Sequence, residues 1–247
     1  MASFRKVHAM NLSAPRHRLS AADALRTRFR LPAAASNLVT RIARWLLVAA
    51  TYLAASPAAA DDLPIIRVEE DWRVEVGTPA PEDHAPQIVT VLSPVGNLER
   101  EHSVFELNHT TYPDYAPGGM QLQCWRRDWL SGYGSTPHGQ KLYHANEVVL
   151  FTSSMEIDDD VLEFRITNGT SLTWSSFGGN GYLKTRYNTT LNNLGGYSPD
   201  VSVANSRVAF ASHRVKKLVL SRIRYYSQEG LVVTDDTPRI VHEHSPE

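Results

Sequence analysis

The chain has 247 residues, 42% of them hydrophobic, one cysteine and a formal net charge of −1 at neutral pH. A single cysteine excludes an internal disulfide. The near-neutral total conceals an asymmetry, because residues 1–60 hold nine Lys or Arg and one acid, Asp23, which leaves 16 basic and 25 acidic residues in 61–247. That acidic balance argues against nucleic acid and anionic membrane surfaces as partners, since both are bound through basic patches.

The first 60 residues form a distinct segment. Arg41 and Arg44 precede the apolar run WLLVAATYLAA at 45–55, and three alanines follow at 58–60. This order is typical of a secretory signal peptide, and the run is shorter than the roughly 20 residues that cross a bilayer. We predict a helical leader over 1–60 that is removed or disordered, and a secreted or periplasmic protein without a membrane span in its mature chain. An organellar transit peptide is the alternative, because the segment is rich in Arg.

Residues 61–247 are predicted to form one domain, with a short flexible tail from about residue 238. Apolar and polar residues alternate along most of this region, as in half-buried strands. In VEEDWRVEV, for example, Val68, Trp72 and Val74 share one face. Further strands are predicted at IVTVL, VFELNH, MQLQCW, NEVVLFTSSMEI, VLEFRI, LTWSSF, YLKTRY, RVAFA and LVLSRIRYY. No segment of helical length within 61–247 shows a period of 3.6 residues; the clearest helical pattern, from Ala21 to Trp45, lies in the leader.

About ten strands separated by turn sequences such as SPVGN, YAPGG and NGT predict an all-β fold, a single antiparallel β-sandwich of the jelly-roll type. The segments GGMQLQCW and RVKKLVLSRIRYYSQEG resemble strands of concanavalin A-like and laminin G-like sandwiches. That resemblance covers about residues 65 to 235. It implies a sandwich of a group whose members often bind glycans and in some cases hydrolyse them.

A polar sheet face is the main candidate site. Trp is a poor choice for a merely solvated face, whereas its ring stacks well on the C–H face of a sugar. Amide and carboxylate side chains suit the sugar's hydroxyl groups. The predicted carbohydrate-binding residues are Trp125, Gln121, Gln123, Glu106, Asn108, Glu163 and Arg165, with a rim of Tyr182, Tyr187 and Tyr197. The alternative is an ordinary solvated face with Trp125 packed under a neighbouring loop.

The acidic stretch MEIDDDVLE was compared with the E-x-D-x-x-E pattern of some jelly-roll glucanases. Glu156 and Asp158 fit it, but Val161 occupies the last position. We therefore predict a hairpin turn at the three aspartates, and no catalytic residue. No cofactor or metal site is predicted beyond a weak indication of calcium at Asp158–Asp160. Cys124 is expected to be a small buried apolar residue.

Three functions remain open at this point. The first is a non-catalytic exported module that binds a polysaccharide or another glycan. The second is a structural or protein-interaction domain of the cell surface or periplasm. The third is a glycoside hydrolase-like enzyme that uses carboxylates such as Glu106 and Glu163. The oligomeric state is left open.

Overall fold

The computed structural model describes residues 63–78, 86–107, 119–135, 142, 144–179 and 181–244. All of them belong to the compact unit Pro57–Glu247. The predicted leader and the predicted site residue Asn108 lie outside the described residues. Within the described part, no helix is long and apolar enough to cross a membrane.

The described residues form thirteen strands and one short α-helix. In chain order they are β1 Arg67–Val76, β2 Gln87–Leu92, β3 Glu101–Leu107, β4 Met120–Arg126, β5 Trp129–Ser135, β6 Val148–Asp158, β7 Val161–Ser171, β8 Ser175–Phe177, β9 Lys184–Asn188, α1 Pro199–Asn205, β10 Arg207–Phe210, β11 Val215–Ser227, β12 Gly230–Asp235 and β13 Arg239–Glu243.

These strands build two antiparallel sheets that pack face to face, so the predicted antiparallel β-sandwich is confirmed. Sheet A has the order β12-β11-β1-β6-β7-β8, with β13 also paired to β11 and β9 also paired to β7. Sheet B has the order β10-β2-β3-β4-β5.

The alternation of the sequence decides which side chains enter the core. In β1, Val68, Trp72, Val74 and Val76 are buried, while Arg73 on the opposite face is exposed. The same rule places Phe105 and Leu107 of β3, Leu122 and Cys124 of β4, and Leu162 and Phe164 of β7 inside the sandwich.

The two sheets meet through large apolar side chains. Phe105 of sheet B and Phe151 of sheet A are each 2% exposed, and their ring centroids lie 5.0 Å apart in an edge-to-face arrangement. Burial of one such side chain contributes about 1.5–3 kcal/mol. A pair of this geometry adds about 0.5–1.5 kcal/mol. The core therefore consists of the inward faces of both sheets, as in other aligned sandwiches.

Three local features differ from, or refine, the sequence predictions. Helix α1 was not predicted, because seven residues are too few to show a helical period; Pro199 and Asp200 in its first turn are local cues. Residues 239–243, predicted to lie in a flexible tail, instead form β13 against β11. The acidic stretch does form a hairpin, in which Asp159 has a φ of 54° between β6 and β7.

The glycine-rich segment between β8 and β9 turns through left-handed backbone conformations. Gly178, Gly179 and Gly181 have φ values of 79°, 76° and 85°. Such values favour glycine because it has no Cβ. The strand predicted at 182–187 is observed at Lys184–Asn188, where it pairs with β7.

Candidate functional site

The outer face of sheet B carries a trough of about 350 Å³, a volume typical of small-ligand sites. We call it the sheet B trough. Its lining residues are Val89, Val91, Leu98, His102, Val104, Glu106, Gln123, Trp125, Arg127, Asp128, Asn205 and Arg207. Three of the predicted site residues, Glu106, Gln123 and Trp125, therefore meet in one place.

The register of β3 and β4 explains this convergence. Glu106 lies opposite Gln121, Val104 opposite Gln123, and His102 opposite Trp125. Paired residues project to the same face of a sheet, and alternate residues of one strand do so too. The trough is therefore built from successive outward positions of two adjacent strands.

The polar end of the trough is organised around the carboxylate of Glu106. Gln87 donates its amide to Oε1 of Glu106, and Gln123 donates its amide to Oε2, each at 3.3 Å. A carboxylate accepts up to about four hydrogen bonds. Two of these positions are taken by the amides of Gln87 and Gln123, which fix the orientation of Glu106.

The opposite end of the trough is aromatic. The indole Nε1 of Trp125 donates a 2.7 Å hydrogen bond to Oε1 of Gln123, which fixes the orientation of the ring. The Nδ1 of His102 lies 2.9 Å from the carbonyl oxygen of Arg100. Because a carbonyl only accepts, Nδ1 carries the proton, and Nε2 of a neutral ring is then an acceptor.

Between these ends, the floor is apolar, and Val104 supplies its partly exposed surface, because Val89 and Val91 are only 3% and 5% exposed. Val91 of β2 lies opposite Val104 of β3, and Val89 lies opposite Glu106. Arg207 of β10 in turn lies opposite Val89 and stands at the side of the trough. A ligand that is apolar on one face and rich in hydroxyl groups at its edges would match this arrangement of valines, aromatic rings and hydrogen-bonding groups.

The remaining predicted site residues lie elsewhere. Gln121 shares the outer face of sheet B, but it is 5% exposed and does not line the trough. Glu163 and Arg165 belong to β7 of sheet A and project from the opposite side of the sandwich. Alternation identified their outward orientation correctly, but it does not reveal which sheet a strand joins.

Glu163 is the centre of an ion-pair cluster on sheet A. Its side chain is 8% exposed and accepts hydrogen bonds from both Arg165 and Arg186. The ammonium group of Lys184 lies 3.6 Å from the same carboxylate. Antiparallel pairing of β7 with β9 produces the cluster, since Glu163 lies opposite Arg186 and Arg165 lies opposite Lys184. Glu163 and Arg165 therefore belong to an ion-pair cluster on the outer face of sheet A.

The three tyrosines predicted as a rim do not border the trough. Tyr197 is a buried core residue, while Tyr182 and Tyr187 are half-buried and pack against that core. Each hydroxyl has a partner: Tyr182 accepts a bond from the amide of Gly178, Tyr187 accepts one from Thr185, and Tyr197 donates to Glu70. Their aromatic rings fill the sandwich.

Cys124 faces the core from β4 and is fully buried. Burial raises the pKa of its thiol to about 12. The group is therefore a neutral thiol at physiological pH, which is a poor nucleophile.

Several trough residues were missed by sequence reasoning. His102 lies three residues before Phe105, on the outer side of the alternating segment EHSVFEL, so its position could have been read from that pattern. Arg207 and Asn205 could not, because they reach the trough through the pairing of β10 with β2, which are more than a hundred residues apart.

The three aspartates that prompted the weak calcium prediction lie at the hairpin between β6 and β7. Among the described residues, no group of three His, Cys, Asp or Glu side chains is arranged to hold a metal ion. The two carboxylates considered for glycoside hydrolysis, Glu106 and Glu163, lie on opposite outer faces of the sandwich. They cannot flank one glycosidic bond, which requires carboxyl groups within about 5–10 Å of each other.

No family model matches the chain, and no curated protein matches it. A solved structure of SCP-B, a member of the Eqolisin family of peptidases, in complex with the tripeptide Ala-Ile-His, is 12% identical. The match covers 72% of this chain and 83% of that chain, with a TM-score of 0.27.

Proposed function

We propose that this protein is an exported, non-catalytic module that binds carbohydrate in the sheet B trough. The observation that carries the proposal is the arrangement of Trp125, the valine floor and the amide-held carboxylate of Glu106 within one trough. A sugar ring has an apolar C–H face and peripheral hydroxyl groups, and this arrangement offers a partner to each. The resemblance to concanavalin A-like sandwiches points the same way, although a fold alone does not determine function.

An uncharged sugar fits the trough better than an acidic one. Glu106 and Asp128 contribute two carboxyl groups to the lining and Arg127 and Arg207 contribute two guanidinium groups, so the formal charges of the trough balance. A uronic acid or sulfated unit placed beside Glu106 would meet charge repulsion, whereas neutral hydroxyl groups can donate to its oxygens.

The test is a binding screen of the purified protein on a glycan array and on insoluble polysaccharides. Saturable binding should be lost in Trp125→Ala and reduced in Glu106→Gln, which keeps the shape of the side chain but removes its charge. Trp129→Ala is the matched control, since Trp129 is 76% exposed on the following strand and does not line the trough. Binding that survives Trp125→Ala would remove the site assignment, and an absence of binding to every glycan would remove the proposal.

A second candidate function, binding of another protein, is supported by Trp129. Trp129 and Leu130, at the start of β5, are 76% and 40% exposed, an unusual display of apolar area on two neighbouring residues. Aromatic residues are enriched where proteins bind each other. If the protein is an interaction domain, Trp129→Ala should abolish partner capture in a cross-linking pull-down while Trp125→Ala leaves it intact.

A further inference from the structure

The sheet B trough continues beyond its aromatic end into a second depression. This depression is lined by Asn97, Leu98, Glu99, His102, Arg127 and Asp128. It shares Leu98, His102, Arg127 and Asp128 with the trough. The two are therefore parts of one groove that follows β3 and β4 from Glu106 and Gln123 toward the loop before β3.

The groove is longer than a single sugar ring. Glu106 and His102 are four residues apart on one strand, which corresponds to about 13 Å at the usual strand rise. The second depression adds further length beyond His102. Hydrogen-bonding groups occur at both ends, while Val104 and Trp125 lie between them. This alternation along the groove suits a chain of linked sugars better than an isolated one.

At the far end of the groove, an ion pair joins its two walls. The Nε of Arg127, on the hairpin between β4 and β5, donates a 2.7 Å hydrogen bond to Oε2 of Glu99. Their side chains are 73% and 65% exposed. Exposed pairs of this kind contribute little to stability, so this pair is not needed to hold the fold together.

Both walls that carry the pair are held in defined conformations. On one side, Ser93 donates to the carbonyl oxygen of Asn97 at 2.6 Å, and the amide of Glu99 donates to the side chain of Asn97 at 2.9 Å. On the other side, Arg127 has a φ of 54°, a left-handed conformation that is uncommon for a residue other than glycine. The positions of Glu99 and Arg127 are thus determined by their backbones.

We infer that the groove binds the end of a linear chain of uncharged sugars, with the terminal unit in the second depression against Glu99 and Arg127. This inference rests on the proposed carbohydrate binding. The guanidinium of Arg127 and the carboxylate of Glu99 supply a donor and an acceptor for the hydroxyl groups of the last unit. Because the Glu99–Arg127 ion pair joins the two walls of the groove, the bound sugar chain ends at this pair.

The experiment is isothermal titration with cello-, malto-, laminari-, xylo- and chito-oligosaccharides of one to six units. In the series that binds, affinity should rise at least tenfold between one and three or four units and then remain constant. Arg127→Gln and Glu99→Gln should each reduce affinity for the tetramer by threefold or more, and leave affinity for the monosaccharide unchanged. Arg73→Gln, which removes an exposed arginine from sheet A, is the matched control and should change neither value.

The stoichiometry on a long polymer of the same sugar distinguishes a closed groove from an open one. Recognition of an end requires one protein per chain end, whatever the chain length. Several molecules bound along each polymer chain would overturn the inference, as would equal affinity for the monomer and the tetramer. Failure to bind any of the five series would contradict the proposed function itself, and the inference with it.

Discussion

The hydroxyl of Tyr197 donates a 2.7 Å hydrogen bond to Oε1 of Glu70 inside the sandwich, and the indole of Trp72 donates to Oε2 at 3.0 Å. Glu70 is 0% exposed. Burial raises the pKa of its carboxyl group from 4.5 to about 7, and the hydrogen bonds from Tyr197 and Trp72 offset only part of that effect. The core thus contains a carboxyl group that retains its proton well above the usual range.

This raised pKa predicts a specific dependence of stability on pH. Between pH 4.5 and about 7 the folded protein holds the Glu70 proton and the unfolded chain does not, so the contribution to stability falls as pH rises through that window. It is fully present below pH 4.5 and lost above about pH 7. Glu70→Gln should abolish the change, which is worth about 3 kcal/mol. Urea unfolding of the unaltered protein and of Glu70→Gln between pH 4 and 8 measures this pH dependence. If the free energy of unfolding changes with pH in the same way in both proteins, the raised pKa is contradicted.

A second prediction concerns the ion-pair cluster on sheet A. Glu163→Gln removes the carboxylate that neutralises Arg165, Lys184 and Arg186, and should lower the free energy of unfolding by about 1–2 kcal/mol. The cost is moderate because the cations are 35–62% exposed and water can solvate them. Sugar binding should not change, since the trough lies on the other sheet.

Glu156→Gln is the control for this experiment. Glu156 lies opposite Glu163 on β6, and its ion pair with Arg67 is 4.0 Å long. A loss of stability equal to that of Glu163→Gln would show that the cluster contributes nothing beyond general charge balance.

The glycine-rich segment offers a pair of otherwise identical substitutions. Gly178 and Gly179 both have positive φ, but a Cβ on Gly178 would lie 2.5 Å from the carbonyl oxygen of Ile166, whereas a Cβ on Gly179 would meet nothing within 4 Å. Both alanine variants should therefore lose about 1–2 kcal/mol from the left-handed backbone. Gly178→Ala should lose about 2 kcal/mol more from the clash. Chemical denaturation measures the free energy of unfolding of both variants. Equal losses of stability would mean that the backbone near Ile166 moves aside at little energetic cost.

Export is a separate prediction, because it concerns residues outside those described. The protein should be recovered without residues 1–60 from a host that recognises its leader, and its first residue should lie at or near Asp61. Intact-mass measurement of the extracytoplasmic fraction tests this. Full-length protein confined to the cytoplasm would rule out the predicted cleavage.

Much of the fold could be predicted because it depends on local alternation. The inward and outward faces of β1, β3, β4 and β7 are decided by a period of two residues, which any strand imposes on its side chains. The same rule brought Glu106, Gln123 and Trp125 together, because β3 and β4 are adjacent strands with matching outward positions.

The rest depends on contacts between distant parts of the chain. Nothing in the alternation of VLEFRI indicates that β7 joins sheet A, so Glu163 and Arg165 could not be separated from the trough in advance. Tyr197 could not be assigned to the core, since its partner Glu70 lies 127 positions earlier. The second depression also depends on an ion pair between a loop and a hairpin, which have no common local pattern.

The position of β1 has a consequence for how the chain reaches its folded state. This strand is the first of the described strands, yet it lies between β6 and β11, and its Asp71 binds Arg224 across 153 positions of the chain. Sheet A cannot close until almost the whole domain is available. Domains dominated by such distant pairings fold slowly. Slow closure would keep the polypeptide unfolded during synthesis, the state in which a chain can be threaded through a narrow translocation channel.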